Sequence, residues 1–446
     1  MEKVYLSQLL KSITTPKNDC IVSSVEVDSR KIQKNSVFLA IKGERVNGEN
    51  YAKSAIEKGA CFVITENYIE DVPTEMQCTV ENILDASITL GANFRDLYDI
   101  DVIGVTGSVG KTSTKDFIYT ALSPFEKTVR SLGNHNNEIG MPQTIFTFTK
   151  DDKFAILEMG MSDFNDVHKL SVAAKPKYAV VSCIGVSHLE RMKTQENILK
   201  AKLEICDGMD RDGVLVLNGD DKFLVNAEIT NPRNVKYFAI QNKNADVVAE
   251  NIVQNGFSTS FTICDKKNGE FKCSIPTVGL HNVMNALSAY TVVTSMGFDP
   301  QKTTDNLSEY VPSGMRQKVV EHNGITFIED CYNASPDSMR AAVNTVCAIA
   351  KGRKICVFGD MFELGDNSSE MHFSVGEYAK NNGIDVMLCV GDNAKNICKA
   401  FRENSLHFET KKELSEYLKS IMQQGDTIVF KASRGMAFEE IISMIY

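Results

Sequence analysis

Seven consecutive residues, Thr106-Gly107-Ser108-Val109-Gly110-Lys111-Thr112, combine the types that hold a polyphosphate. Glycines allow a tight turn, so that successive N–H groups and a helix N-terminus face phosphate oxygens. Lys111 adds a positive charge near the β- and γ-phosphates, and the Thr112 hydroxyl is a ligand for Mg²⁺. The spacing departs from the eight-residue form of this motif, because Val105 stands where its first glycine would be. A chance glycine turn is the alternative. The nucleotide reading is preferred because strand, turn, lysine, hydroxyl and helix all agree.

Phosphoryl transfer needs a cation held by hard oxygen ligands. Glu158, in Ile156-Leu-Glu-Met-Gly160, supplies a carboxylate where an apolar run ends. His188, in Gly185-Val-Ser-His-Leu-Glu190, supplies an imidazole after the following run. Taken alone, each reads equally well as a structural hydrogen-bonder; at neighbouring strand ends they favour a metal. Lys202 is anomalous, lying with Ile198, Ile205 and Met209 on one stripe of a helix expected over residues 196–209. Burial would favour its neutral amine, which can act as a nucleophile or be modified. A lysine at the stripe's edge, with its head group in water, is the other reading.

These residues need a sheet whose strand ends share one edge. Asp101–Thr106 reads as a buried strand leading into the glycine turn, followed by a helix with Phe117, Ile118, Ala121 and Leu122 on one face. Apolar runs at Phe154–Glu158, Tyr178–Val186 and Gly213–Leu217 alternate with helical patterns, as βαβ units around a mainly parallel sheet do. Residues 246–276 read as short alternating strands, an antiparallel addition. Before this unit, Val37–Ile41 and Cys61–Thr65 are strand-like runs of a small α/β domain. After it, strands are expected at Ile325–Asp330, Lys354–Phe358, Asp385–Val390 and Thr427–Lys431, with helices between them. Ser335 is placed to cap the first of those helices, with Pro336 in its first turn.

The 446 residues are about three times a typical domain of roughly 150. The expectation is therefore an α/β protein of three domains: 1–98, small α/β; 99–312, central, with the phosphate loop; 313–446, Rossmann-like and doubly wound. A composition 43% hydrophobic and 24% charged is that of an ordinary folded protein. A net charge of -10 without a basic run disfavours nucleic acid as a partner. The 12 cysteines form no Cys-x-x-Cys pair, which argues against structural zinc and fits a reducing cytoplasm. No secretory signal is visible, and no apolar run approaches the roughly 20 residues of a membrane span.

Three longer strings carry a resemblance: Asn134-His-Asn-Asn-Glu-Ile-Gly-Met-Pro142, Glu329-Asp-Cys-Tyr-Asn-Ala-Ser-Pro-Asp-Ser-Met339, and Gly359-Asp-Met-Phe-Glu-Leu-Gly365 followed by His372. With the phosphate loop and Gly279-Leu-His-Asn-Val-Met-Asn-Ala286, they make the chain similar, over essentially its whole length, to the Mur ligases, which build the peptide of bacterial peptidoglycan precursors. The resemblance implies an ATP-dependent ligase that adds D-alanyl-D-alanine to UDP-N-acetylmuramoyl-tripeptide through an acyl-phosphate, acting in the cytoplasm as a monomer. Two rivals stand beside it. A sibling ligase adding a single amino acid is disfavoured by Tyr332-Asn333-Ala334, and a non-catalytic nucleotide-binding partner by the intact loop with Glu158, His188 and Lys202.

The likeness also implies roles. Ala201-Lys-Leu-Glu-Ile205 is similar to the family segment whose lysine is carbamylated by CO₂. By that likeness Lys111, Glu158, His188 and Lys202 are catalytic. The carbamate of Lys202, with His188 and Glu158, would hold one Mg²⁺, and Thr112 with Glu158 a second. Asn137, His281, Asn282, Asn285, Arg316 and Asp330 join the phosphate loop as ATP-binding residues, with capping and polar packing as the alternative for the segment around Asn282. Tyr332, Asn333, Lys431, Ser433 and Arg434 would face the incoming amine, and Ser29 and Arg30 the uridine end of the other substrate, with structural packing as the alternative for Arg30. The chain departs from the family at Ser187, Ser335, Ala432 and Asn47-Gly48-Glu49, which bears on the peptide recognised and not on the nucleotide chemistry.

Overall fold

The computed structural model describes residues 1–43 and 46–446. The first unit is organised around four parallel strands, in the order Ser24–Glu26, Ser36–Leu39, Ala60–Thr65 and Gln77–Thr79, of which the inner two are buried almost throughout, as strands covered on both faces are. The helix Ile83–Arg95 closes this unit, started by Asn82, whose Oδ1 accepts from the N–H groups of Leu84 and Asp85.

The middle sheet has nine strands. Asp101–Thr106 lies inside it, flanked in parallel by Phe154–Glu158 and Tyr178–Val181, so the carboxyl ends of all three meet at one edge. Its residues Val102, Ile103 and Val105 are fully buried, as a strand covered on both faces requires. Parallel pairing continues through Val214–Asn218 and Asn234–Ala239 to Val247–Asn255. Ser258–Asp265 and Gly269–Ile275 then add antiparallel strands. These last three are longer than the short strands expected. The alternating burial of Ser258–Asp265 shows one face wetted and one packed.

The run Tyr178–Val186 is a strand only as far as Val181. Beyond it Ser182 and Cys183 turn to hold the neighbouring glycine loop, which ends the ladder. The expected helix over 196–209 likewise divides into Gln195–Leu203 and a 3-10 turn, Glu204–Cys206.

The third unit has six strands in the order Lys318–His322, Ile325–Glu329, Thr427–Lys431, Lys354–Phe358, Val386–Val390 and Ser405–Phe408, parallel except for the first hairpin. The four strands read from sequence form its interior. The two not foreseen are edge strands, half-exposed and mixed in polarity, which leaves little apolar signal. Ser335 does start the helix Pro336–Ile349, its Oγ accepting from Ser338 N. Among the described residues no helix is long and apolar enough to cross a membrane.

The helix after the glycine loop, Lys111–Leu122, packs on Leu280–Ser295, and its Phe117 stacks on Tyr310 with ring centroids 3.6 Å apart. Phe117 is fully buried, so Phe117→Ala should lower stability by about 3–5 kcal/mol. Urea denaturation should show the transition moved to lower urea; an unmoved midpoint would mean that this helix is held by other contacts.

Candidate functional site

The turn between Thr106 and Lys111 is fastened on both sides. Thr106 Oγ1 donates to Met159 O (2.8 Å) and Thr106 O accepts from Ser182 N (3.0 Å). Ser108 N donates to Cys183 O (2.9 Å) and Ser182 Oγ to Val109 O. Gly107 has φ 145°, and a Cβ there would sit 1.9 Å from Ser182 Oγ. Gly110, at φ 88°, would place one 2.9 Å from Asn285 Oδ1. The helix begins at Lys111, so its first-turn N–H groups have no intrahelical acceptor and point at the turn. Lys111 Nζ donates to Gly107 O (2.7 Å), lying over the loop, and burial pushes its pKa down. The buried hydroxyl of Ser108 has no partner among the described residues. A donor-rich concavity with an unsatisfied hydroxyl is what a phosphate chain fills.

The loop forms the floor of a cavity of about 1010 Å³ between the middle and third sheets. Glu158 enters it from the adjacent strand, 2% exposed. Its Oε2 accepts from Thr112 Oγ1 (2.7 Å) and its Oε1 from Asn136 Nδ2 (3.0 Å). Behind it, Lys115 Nζ lies 3.9 Å from Glu158 Oε2 and donates to Ser131 O (2.8 Å), with burial lowering its pKa. Lys115 and Asn136 were not assigned from sequence. The signal was there: Lys115 follows Lys111 by one helical turn, and Asn136 lies in the string Asn134–Pro142.

Lys202 is fully buried, as are Ile198 and Ile205 beside it on the stripe, so the lysine lies inside and not at the edge. Nζ has no hydrogen-bond partner among the described residues. Burial first, then the neighbouring Lys111 charge, hold its pKa well below that of an ordinary lysine. Burial without a partner favours the neutral form of such an amine.

The expected metal set is only partly assembled. Thr112 and Glu158 touch, but His188, at φ 65°, turns its Nδ1 to Glu363 Oε2 of the third unit (2.6 Å), and Lys202 lies behind the cavity wall. Among the described residues no three His, Cys, Asp or Glu side chains gather as a metal cluster. Glu158 is engaged by Thr112 and Asn136, whereas Glu363 engages only Nδ1 of His188 and leaves Nε2 of the ring without a hydrogen-bond partner among the described residues. His188 in turn holds the Glu363 carboxyl below its ordinary range.

His281 lines the cavity, its pKa lowered by burial. Asn282 and Asn285 reach the wall but are mostly spent on packing. Asn282 Nδ2 lies within 3.0 Å of Thr277 Oγ1, Val278 O and Gln317 Oε1. Asn285 accepts from Thr114 Oγ1 (3.1 Å), and Gln317 continues to Thr345 Oγ1 (2.8 Å). Asn137 lines the cavity while accepting from Gly140 N (2.9 Å).

Arg316 lies over the Tyr332 ring, 4.1 Å from its centroid. Asp330 Oδ2 pairs with Lys431 Nζ (2.7 Å), which also donates to the carbonyls of Asp330 and Asn333 (3.2 Å each). Lys431 therefore shapes the Asp330–Asn333 turn and has no donor left for a second substrate. Arg434 lines the cavity but pairs with Glu439 (2.7 Å). Ser433 is buried behind the wall, accepting from Phe362 N (2.9 Å). Ser29 and Arg30 are off the cavity altogether. Arg30 pairs with Asp28, two residues away, at 2.8 Å, with its side chain exposed.

The chain is similar to known proteins in sequence and in fold. Residues 21–89 match the family described as "Mur ligase family, catalytic domain", 105–293 "Mur ligase middle domain", and 315–434 "Mur ligase, glutamate ligase domain". The UDP-N-acetylmuramoyl-tripeptide--D-alanyl-D-alanine ligase of Bacillus subtilis (strain 168) is 35% identical over 430 residues, covering 95% of this chain and 93% of that protein. A crystal structure of MurF from Acinetobacter baumannii superposes with a TM-score of 0.91 at 27% identity, covering 100% of this chain and 99% of the other. The MurF ligase of Thermotoga maritima in complex with ADP gives 0.87 at 26% identity, over 95% and 97%.

Gly107→Ala should weaken ADP binding about 10-fold or more, because a side chain cannot take this φ or pass Ser182 without opening the loop. Calorimetric titration with ADP checks it. An unchanged affinity with an unchanged circular dichroism spectrum would show that the loop does not carry the phosphates.

Proposed function

The chain belongs to the Mur ligase family, and on that premise we propose that it joins D-alanyl-D-alanine to UDP-N-acetylmuramoyl-tripeptide at the expense of ATP, in the synthesis of peptidoglycan precursors. The observation that carries the chemistry is the fastened glycine loop, with Lys111 over it and the Thr112–Glu158 pair beside it in one cavity. The choice of substrates rests on relatives of that activity matched along nearly the whole chain.

In this reading the carboxylate of the tripeptide attacks the γ-phosphate, the amine of the dipeptide attacks the resulting acyl-phosphate, and ADP and phosphate leave. The loop N–H groups, the Ser108 hydroxyl and Lys111 bind and orient the phosphates, and Lys111 offsets the charge that develops there. Thr112 and Glu158 would hold one Mg²⁺, and Glu158, His188 and a carbamate on Lys202 another. Bound Mg²⁺ neutralises charge on the transferring phosphoryl group. The carbamate is supported by the buried, partnerless amine of Lys202, since a neutral amine adds CO₂ with loss of a proton and becomes an anionic oxygen donor. Asn137, His281, Asn282, Asn285, Arg316 and Asp330 belong to the ATP side. Tyr332, Asn333 and Arg434 face the incoming amine, while Lys431 and Ser433 position the turns that carry them.

Boundaries near residues 98 and 312 are supported by the separation of the three larger sheets along the chain. Ser29 and Arg30 would meet the uridine end on the first unit. The protein is proposed to act as a monomer in the cytoplasm, which its twelve free thiols suit.

Purified protein with ATP, Mg²⁺ and both substrates should give, by mass spectrometry, the UDP-linked pentapeptide; a product from a free amino acid instead would assign a sibling activity. Lys111→Ala should lose on the order of 10²-fold or more in rate. Lys202→Ala should be similarly impaired and partly restored by a short-chain carboxylic acid. Full activity in that variant without any acid would remove the carbamate.

A further inference from the structure

The string Gly359–Gly365 has no role in the reaction as set out above, yet its backbone is fixed more closely than a connecting loop requires. Asp360 Oδ1 accepts from the N–H groups of Asn393 (3.0 Å) and Ala394 (2.7 Å). Met361 N donates to Nε2 of His372 (2.9 Å), whose Nδ1 is satisfied by Ser368 O (2.7 Å). Phe362 N donates to Ser433 Oγ (2.9 Å). Three successive residues are thus anchored to the third unit. The next, Glu363, has φ 63° and projects towards the middle unit.

There it meets a second residue of the same kind. Glu363 O accepts from Glu190 N (3.3 Å), and Glu363 Oε2 lies 2.6 Å from Nδ1 of His188, itself at φ 65°. The Glu363 side chain is 59% exposed. A histidine–carboxylate contact with one partner 59% exposed and the other 22% exposed stabilises little. Stability therefore does not explain the contact. Orientation does: a carboxylate at Nδ1 keeps the proton there and leaves the lone pair of Nε2 free, the tautomer that binds a cation, and it fixes the plane of the ring.

We infer that Glu363 is a positioning residue for the reaction, reaching from the third unit to set the tautomer and direction of His188, so that the cation site on the middle sheet is complete only when the third unit is docked. This rests on the reading of His188 as a metal ligand. It gives the motif a function: Asp360, His372 and Ser433 hold the loop so that one carboxylate is presented across the cleft.

The test is binding of Mn²⁺ to the full-length protein saturated with a non-hydrolysable ATP analogue, with free Mn²⁺ read by electron paramagnetic resonance. His188→Ala identifies the site by weakening it. Glu363→Gln should weaken that same site by about 10-fold or more, the usual effect of losing a partner of a ligating histidine. The double variant should bind no more weakly than His188→Ala alone, because the two act through one ligand. Glu363→Gly, which relieves the left-handed backbone but also removes the carboxylate, should match Glu363→Gln. If Glu363→Gln or Glu363→Gly keeps wild-type Mn²⁺ affinity within twofold while His188→Ala loses it, the inference falls and the metal reading of His188 stands. If His188→Ala also leaves the affinity unchanged, both fall.

Discussion

Between the strand Asp101–Thr106 and the helix Lys111–Leu122 only four residues reverse the chain, and their backbone is held by the strands on either side. Met159 O takes the Thr106 hydroxyl, Ser182 bonds both Thr106 O and Val109 O, and Cys183 O takes Ser108 N. Much else about the site follows from this fastening. It keeps the helix N-terminus open to the cavity, brings Thr112 against Glu158, and stops the strand Tyr178–Val181 early so that the following loop can deliver His188. Two glycines suit it, since Gly107 and Gly110 take φ of 145° and 88°, where a Cβ would also meet Ser182 Oγ at 1.9 Å or Asn285 Oδ1 at 2.9 Å.

Around this fixed floor the polar groups form routes to the third unit. One runs from Thr114 through Asn285, Asn282 and Gln317 to Thr345. A second joins Asp116 on the phosphate-loop helix to Ser313 in the connecting segment. The third is the contact of His188 with Glu363. A displacement of the third unit must therefore disturb hydrogen bonds that begin one or two turns from the phosphates. In the proposed reaction this would couple nucleotide binding to docking of that unit, which would exclude water from the activated carboxyl.

Much of this was legible in the residues. The phosphate loop, Glu158, the buried strands and the cap at Ser335 each depend on local chemistry, and local chemistry is written in order along the chain. What was less legible depends on pairing between distant segments. Lys202 could be placed on a stripe, but only packing shows that its amine is enclosed without a partner among the described residues. Lys318–His322 and Ser405–Phe408 are edge strands whose alternation is blurred by exposure. Lys431 reads as a substrate contact, whereas the fold gives all its donors to Asp330 and Asn333. Ser29 and Arg30 were placed by likeness alone, and Arg30 pairs with Asp28. The partner of His188 could not be foreseen, because Glu363 is brought to it only by the meeting of two sheets.

The central claim is that this cleft spends ATP by transferring its γ-phosphoryl group to a carboxylate before the amine attacks. Isotope tracing tests it most directly. With both carboxylate oxygens of the acceptor peptide labelled with oxygen-18, attack on the γ-phosphate and later loss of phosphate should carry one labelled oxygen into the released inorganic phosphate for each peptide bond formed. Unlabelled phosphate, or label recovered in AMP, would mean that the carboxyl is activated in another way and would contradict the account.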